Sequence, residues 1–462
     1  IVQATIDGVF SSRKISKLAH ENVVYMYLTG NEKPDFRTIC NFRRDNKKLI
    51  QEAFEETVTI SRKLGLLKLG HLSTDGTKLK ANASNSNTLS KEEIEEVKSI
   101  IDKGIEIDEE EDRLYGDTKG NELPPELNTR EKIRKKIKDI EKATDKKLKR
   151  SAKNVIEQYA LGDENQKRNV LAKLDKAKEE IEKSGQKAVS LTDPESRFMK
   201  NKKKITELSY NPQITVDNGS GIIVANDVTQ DCTDHEQLEP QIESAEENLG
   251  GLPEDIKISA DNGYFSGSNL QYLEEKGLEG YIPNSKQAQQ MKGKKVKEGP
   301  YSKDKFEYDE KRDCFICPQG QVLPRKGTYE DNNGKLRYAY YGTGCHRCSH
   351  RAECAGKNRV RVITSYGYEA ERKRMDAKMQ SKVGIEEYRK RGETVEWPFG
   401  NIKQNLRFRE SMTRGIENVK NEHNLVCIAH NLVVMWGLLK RNVDILSKIK
   451  RSITCSMSSL IS

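Results

Sequence analysis

The sequence predicts a mixed α/β fold built from several domains, and three observations support this prediction. At 462 residues the chain is long enough for two or three compact domains. From Ser209 onward, apolar residues recur at every second position in runs that alternate with helical segments, as they do in α/β sheets. Charged residues are concentrated between Lys91 and Lys204, while the flanking parts have ordinary apolar content, which indicates a charged unit inserted into the fold.

The first 67 residues have the pattern of a small helical domain, with apolar residues at helical spacings. Pro34 and Asp35 suit the start of a helix, which places Phe36, Ile39 and Phe42 on one face. Because the chain begins with isoleucine rather than methionine, we expect further residues to precede this domain.

Basic charge points to a polyanionic partner. The formal net charge is +9, and short basic clusters recur along the whole chain instead of filling one tail. A soluble basic protein without such a partner explains the charge about as well. The basic residues of the first domain have two interpretations: they contact a DNA backbone, or they form a plain solvated face. These residues are Arg13, Lys14, Arg37, Arg43 and Arg44.

The charged unit follows a short β-like segment, residues 68–84, that carries Asp75. Within residues 85–204, isoleucine, leucine and alanine recur at spacings of three and four, which predicts amphipathic helices that form a hairpin or coiled coil. A low-complexity segment is the competing interpretation. The residues that define the pattern are Ile133, Ile137, Ile140, Leu171, Leu174, Ala177 and Ile181.

Residues 205–285 continue the sheet. A turn from Asn218 to Gly221 joins two β-rich runs, a helix ends at Gly250, and a short β-run then ends at Asp261. A further helix and strand follow. This order of elements is that of an RNase H-like sheet with a helical insertion after its first strand.

Two aspartates occupy equivalent places in this pattern. Asp75 and Asp261 each follow a β-like run and precede a glycine turn, so both are expected at strand ends, where neighbouring carboxylates suit Mg²⁺. Glu396 and Lys403 are seven residues apart, which places them two turns apart on one helical face. Asp193 and Asp217 also lie in recognisable motifs, but the neighbouring Pro and Asn-Gly favour turn or helix-cap roles for them.

The cysteines predict a zinc ribbon within residues 286–365. Two CxxC elements lie about thirty residues apart, and thiolates two residues apart fit adjacent corners of a zinc tetrahedron. Reduced cysteines in a β-rich insertion are the alternative, and Cys314 is the first substitute among the ligands. The predicted zinc ligands are Cys317, Cys345, Cys348 and Cys354.

The sequence resembles the DDE transposases of bacterial insertion sequences, in their insertion-sequence-four-like branch. Seven segments occur in the family's order: SSRKISKLAHEN, PDFRTICNFR, DGTKLKANAS, SLTDPESRFMK, YNPQITVD, SADNGYFS and VEWPFGNIKQN. The resemblance assigns the catalytic triad to Asp75, Asp261 and Glu396. Tyr388, Arg391 and Lys403 match the branch's Tyr, Arg, Glu, Lys signature, except that four residues rather than three separate Arg391 from Glu396.

The resemblance implies an enzyme that cleaves transposon ends and joins them to target DNA, using Mg²⁺ or Mn²⁺ held by the three carboxylates. It also implies double-stranded DNA as the partner and a homodimer assembled on that DNA. We expect a cytoplasmic, nucleoid-associated protein, since there is no export signal and nine cysteines suggest a reducing compartment. The competing functions are a nuclease without strand transfer and an inactive DNA-binding remnant.

The predicted organisation assigns a role to each part of the chain. The apolar run from Leu425 to Leu439 is too short to span a bilayer, so we interpret it as a buried helix and expect no membrane partner. The parts are the helical, DNA-binding domain (1–67), the catalytic core (68–84 and 205–285), the charged insertion (85–204), the cysteine-rich insertion (286–365), the C-terminal helices that carry the third acidic residue (366–445) and a tail (446–462).

Overall fold

The structure is a computed structural model. It describes residues 1–115, 129–144, 147–201, 203–296, 299–331, 334–442 and 447. The predicted tail, 446–462, therefore lies outside the described residues except for Ser447.

Five helices open the chain: α1 (Val2–Ile6), α2 (Ser12–Glu21), α3 (Val23–Leu28), α4 (Phe36–Asp45) and α5 (Lys47–Lys63). The Asp35 carboxylate caps α4 as predicted, accepting a 2.7 Å hydrogen bond from the backbone N–H of Thr38. Ile39 is buried with residues of α1, α2 and α3, but Phe42 is exposed, so the predicted apolar face of α4 is wrong at that position. The reason is geometric, since residues six positions apart point about 120° apart around a helix.

A seven-stranded sheet forms the centre of the protein. Its strands are β1 (His71–Gly76), β2 (Leu79–Lys80), β5 (Arg197–Lys200), β6 (Thr206–Asp217), β7 (Ile223–Thr229), β8 (Lys257–Ala260) and β9 (Glu279–Tyr281). Strands β3 (Thr88–Ser90) and β4 (Ala188–Ser190) form a separate two-stranded sheet.

The strands of this sheet pair in both parallel and antiparallel directions. Strand β6 pairs antiparallel with β7 on one side and with β1 on the other, while β8 runs parallel to β1 and β9 runs parallel to β8. The short strands β2 and β5 pair with the first half of β6. Helices α10 (Leu238–Leu249) and α11 (Gly267–Glu275) connect β7 to β8 and β8 to β9. The mixed α/β class predicted from the sequence is confirmed.

The charged insertion has a hydrophobic core of its own. It contains α6 (Lys91–Tyr115), α7 (Arg130–Thr144), α8 (Arg150–Ala160) and α9 (Glu164–Ser184). Ile133 and Leu174 are fully buried in a cluster of residues from this region, separate from the cluster of the central sheet. Because β3 and β4 pair with each other, the chain enters and leaves the insertion at one place.

The cysteine-rich part is a second sheet. After α12 (Ser285–Met291), five strands pair antiparallel in chain order around Phe306, Phe315, Leu323, Tyr340 and Ile363. Its elements are β10 (Glu307–Asp309), β11 (Cys314–Ile316), β12 (Val322–Glu330), β13 (Leu336–Tyr341), α13 (Arg351–Ala355) and β14 (Val362–Ser365).

Three helices return to the central sheet: α14 (Glu369–Gln380), α15 (Lys382–Gly400) and α16 (Ile416–Arg441). Helix α16 packs on β7 and on α5, whose Ile50, Phe54 and Val58 belong to the core of the sheet. The run interpreted as a buried helix is the second half of α16, although its Leu432, Val433 and Trp436 are exposed. Among the described residues, none of the helices combines the length and apolar character that crossing a bilayer requires.

Buried histidines predict that the core loses stability in mild acid. Burial lowers the pKa of His71, His423 and His430 to about 4. The unfolded chain binds these protons near pH 6.5, so between pH 6.5 and about 4 the free energy of unfolding should fall by up to about 1.4 kcal/mol per histidine for each pH unit.

Urea unfolding between pH 6.5 and 5 measures this slope, because few carboxylates titrate in that window. Fluorescence suits the experiment, since both tryptophans lie on core helices and the Trp397 ring packs against His430 at 5.1 Å between centroids. His430→Gln should reduce the slope, whereas His20→Gln, at an exposed position, should leave it unchanged. An unfolding free energy that stays constant across this range would contradict the prediction.

Candidate active site

Two aspartates meet where β1 and β8 end. The parallel register pairs Thr74 with Ala260, so Asp75 and Asp261 occupy the next position on neighbouring strands. Residues before them are fully buried, while both aspartates are partly exposed at the carboxyl edge of the sheet. The sheet therefore presents two carboxylates side by side, in the strand-end positions that the sequence predicts.

Each carboxylate is oriented by the turn that follows it. Asp75 accepts a 2.9 Å hydrogen bond from the backbone N–H of Gly76, and Asp261 accepts one of 2.7 Å from that of Gly263. A Cβ at Gly76 would lie 2.4 Å from Nε2 of Gln213, and one at Gly263 would lie 2.8 Å from Oδ1 of Asp261. A side chain at either position would have to displace these polar groups, because real Cβ atoms do not approach other atoms so closely.

Arg391 supplies a buried cation to this pair. Its Nη2 lies 3.0 Å from Oδ2 of Asp75, and both side chains are at most 15% exposed. Burial opposes the charge of the guanidinium, but Asp75, Tyr388 and Asp261 outweigh burial and raise the pKa of Arg391. The half-buried Tyr388 lies one turn earlier on α15, with its ring 6.0 Å from Cζ of Arg391. Both signature residues therefore face the two aspartates.

Helix α15 is anchored beside β1 and β8 by Glu387. This carboxylate lies 3.5 Å from Nδ1 of His71 and 3.1 Å from Nζ of Lys257, at the first residues of the two strands. From there α15 runs toward the carboxyl ends of the strands, which brings Arg391 to Asp75.

Lys403 reaches the site through a local change of helix type. The sequence predicts Glu396 and Lys403 on one α-helical face, and this is wrong, because α15 ends at Gly400 and residues 401–405 form a π-helix. Its wider turns change the direction in which Lys403 points. The Lys403 ammonium donates a 2.5 Å hydrogen bond to Oγ1 of Thr77, two residues after Asp75.

Glu396 is not brought to the two aspartates. Its side chain is exposed on α15. Glu396 lies five positions after Arg391, which turns it about 140° away around an α-helix, whereas a position four residues after Arg391, the usual place, would be turned only about 40°. The extra residue in the signature therefore has a direct structural consequence. Within the described ranges, no group of three or more His, Cys, Asp and Glu side chains is arranged to hold a metal ion.

The donor chemistry at Asp75 and Asp261 still fits a hard divalent cation. Carboxylate oxygens at adjacent strand ends are the ligands that Mg²⁺ and Mn²⁺ prefer. Arg391 balances their negative charge in this structure, as a bound cation would. The two aspartates and their surroundings thus fit the predicted metal, and Glu396 as placed does not.

The structure also brings Asp234 to the site, which the sequence analysis missed. It lies in the loop between β7 and α10, and its Oδ1 is 3.8 Å from Nζ of Lys78. The only sequence signal was an aspartate shortly before a helix, which is typical of a cap.

The two competing aspartates have structural roles, as predicted. Asp217 accepts hydrogen bonds from the backbone N–H groups of Lys68, Leu69 and Ser220, which fix the turn after β6. Asp193 accepts one from Gly415 at the start of α16, and burial raises its pKa.

Four cysteines line one small cavity in the second sheet. They are the predicted ligands Cys317, Cys345, Cys348 and Cys354. Cys314 is buried on β11 and does not line this cavity.

Backbone groups already point at two of these sulfurs. Gln321 N–H lies 3.3 Å from Sγ of Cys317, and Arg361 N–H lies 3.4 Å from Sγ of Cys345. Burial raises the pKa of the Cys354 thiol, and Arg361 opposes that shift. Thiolates with N–H donors are ligands that suit zinc, but in the described part of the chain the four sulfurs are not arranged as a metal site.

A sheet with paired strand-end aspartates and a buried arginine against them defines a candidate for nucleic-acid cleavage. Residues 316–436 match the family model described as "Transposase DDE domain", and residues 1–45 match the one described as "Transposase domain (DUF772)". The first match includes α15 and Lys403. No curated protein matches the chain. The two matches support a DDE transposase, a class of enzyme that acts on DNA.

Proposed function

We propose that the protein is a DNA transposase of the insertion-sequence-four-like branch, which cleaves transposon ends and joins them to target DNA. The observation that carries the proposal is the pair Asp75 and Asp261 on adjacent parallel strands, with the buried Arg391 against them. The order β7-β6-β1-β8-β9, with β6 alone antiparallel to its two neighbours, supports an RNase H-like core.

The domain division proposed from the sequence is supported by separate hydrophobic clusters. Residues 85–204 and 286–365 each have their own buried core, and α1 to α4 share another. Helix α5 belongs to the catalytic core by its packing, so we place the end of the DNA-binding domain before Lys47 rather than at residue 67.

In the proposed reaction, Asp75 and Asp261 hold Mg²⁺ or Mn²⁺. When bound, the metal would activate an oxygen nucleophile and stabilise charge on the phosphate. Arg391 and Lys403 bind phosphate oxygens, since both cations lie beside the end of β1. Tyr388 packs against the DNA strand near the cut. Glu396 is retained as the third carboxylate on its motif match alone, because its side chain is exposed away from the pair.

Double-stranded DNA and a second copy of the chain are the proposed partners, and the nucleoid is the proposed location in the cytoplasm. In the N-terminal domain, Arg13 and Arg37 both lie over the ring of Phe36, at 5.1 and 5.8 Å from its centroid. Two guanidinium groups held on one half-buried aromatic ring suit contact with phosphates. Dimer formation on DNA rests on the family resemblance.

The test is a reaction on DNA that carries the inverted repeats flanking the gene. The proposal predicts Mg²⁺-dependent cleavage at the repeat ends and, with a target plasmid present, covalent joining of the 3′ ends to it. A nuclease would cleave without joining, and an inactive remnant would bind without cleaving. Either result would reject the transposase.

We also propose that the four cysteines hold a structural zinc ion. Cys345→Ser should release zinc and lower the melting temperature, because the binding energy of a structural zinc contributes to folding. Zinc content and thermal unfolding of reduced protein measure both effects. Cys232→Ser is the control, since Cys232 is exposed and does not line the cysteine cavity. Wild-type protein without zinc would show that these cysteines only pack.

A further inference from the structure

Asp234 is tied to the sheet by side-chain hydrogen bonds. Its Oδ1 accepts from Nδ2 of Asn211 at 2.7 Å and from Nε2 of Gln213 at 2.8 Å, and both residues lie on β6. Gln213 in turn accepts a hydrogen bond from the hydroxyl of Tyr264, in the turn that follows Asp261. These bonds hold the Asp234 carboxylate in a fixed place, although it comes from a loop.

That place is beside the turns that follow the two proposed catalytic aspartates. A Cβ at Gly76 would lie 2.8 Å from Oδ1 of Asp234, and one at Gly263 would lie 3.3 Å from its Oδ2. Asp234 therefore contacts the turns that follow both Asp75 and Asp261.

Lys78 faces the same carboxylate with unused hydrogen-bonding capacity. Its Nζ is buried, lies 3.8 Å from Oδ1 of Asp234 and makes no hydrogen bond within the described structure. An ammonium group has three donors, and leaving them unsatisfied in a buried place costs free energy. Burial lowers the pKa of Lys78, and Asp234 is the strongest of the charges that oppose this shift. A ligand with acceptor oxygens would satisfy these donors.

We propose that Asp234 is a positioning residue for DNA cleavage, which holds the Lys78 ammonium beside Asp75 and Asp261 so that Lys78 binds an oxygen of the scissile phosphate. This inference rests on the proposed function, because phosphate is the anion that such a reaction brings to the site. Direct binding of the metal by Asp234 is a different role, and the experiment separates the two.

The experiment compares Asp234→Asn, Asp234→Glu, Lys78→Met and the double variant Asp234→Asn/Lys78→Met in single-turnover cleavage at saturating DNA. Asp234→Asn should slow cleavage by about 100-fold, the loss that a misplaced reactive group produces, with DNA affinity nearly unchanged. Asp234→Glu should restore part of the rate. In the Lys78→Met background, Asp234→Asn should cost little more, because residues that act through one another are not additive.

Glu236→Gln is the control, an exposed loop carboxylate two residues after Asp234 that lies 3.4 Å from Nζ of Lys335. It should leave the rate unchanged. Additive losses from Asp234→Asn and Lys78→Met would overturn the positioning role. If Asp234→Asn still slows cleavage strongly in the Lys78→Met background and also weakens Mn²⁺ binding, Asp234 binds the metal instead.

Amine labelling followed by mass spectrometry tests the contact without activity. Asp234→Asn should speed labelling of Lys78 and leave unchanged that of Lys80, which pairs with Glu410 at 2.9 Å. Unchanged labelling of Lys78 would overturn the inference while leaving the transposase proposal standing. If wild-type protein fails to cleave DNA, the proposed function and this role are both rejected, whatever the labelling shows.

Discussion

Replacing Asp261 with asparagine should abolish Mg²⁺-dependent DNA cleavage. Asparagine keeps the size of the side chain and an oxygen for the N–H of Gly263, but it loses the negative charge that a hard cation requires. Changing a group that only supports a metal ligand costs about 10–100-fold, so loss of the ligand itself should cost more than about 100-fold.

Gel assays of single-turnover nicking on end-containing DNA measure this loss. Zinc content and DNA affinity should remain at wild-type values, because the cysteines and the N-terminal helices belong to other hydrophobic clusters. Asp255→Asn is the control, since Asp255 is exposed shortly before β8. An Asp261→Asn variant that still cuts DNA would reject the proposed site.

Replacing Arg391 with methionine should both destabilise the metal-free protein and impair cleavage. Methionine has no charge to set against Asp75, whose carboxylate stays largely buried. Removing one partner of a buried ion pair costs about 3–5 kcal/mol, because the remaining charge is left in a poorly solvated place. Mg²⁺ should restore part of this stability in the variant, since a cation bound at Asp75 replaces the missing charge.

Urea unfolding with EDTA and with Mg²⁺ measures these effects. Arg389→Met is the matched control, two residues earlier on α15 and exposed. It should change neither stability nor its dependence on Mg²⁺. Equal stability of the Arg391→Met variant and wild-type protein in EDTA would mean that this ion pair contributes nothing to the fold.

The sequence was sufficient to predict features that depend only on residues close together along the chain. Asp75 and Asp261 were predictable because an apolar strand and a glycine turn lie next to each in the chain. That the four cysteines line one cavity was predictable in the same way, from CxxC spacing, and zinc binding there stays a prediction.

Features that depend on distant residues were not predictable. Asp234 looks like a loop aspartate until β6 brings Asn211 and Gln213 to it. Lys403 reaches Thr77 through a π-helix, and no simple periodicity predicts a local change of helix type. The exposure of Glu396 follows from one additional residue in the signature, whose effect appears only once Arg391 is fixed against Asp75.

The most direct measurement is the position of Mn²⁺ in crystals of the protein bound to transposon-end DNA, read from anomalous scattering. We expect Mn²⁺ in contact with the carboxylates of both Asp75 and Asp261, with Arg391 moved from Asp75 to a phosphate oxygen. Mn²⁺ bound elsewhere, with the Arg391 to Asp75 ion pair intact beside the DNA, would contradict the assignment of these two aspartates to metal-dependent DNA cleavage.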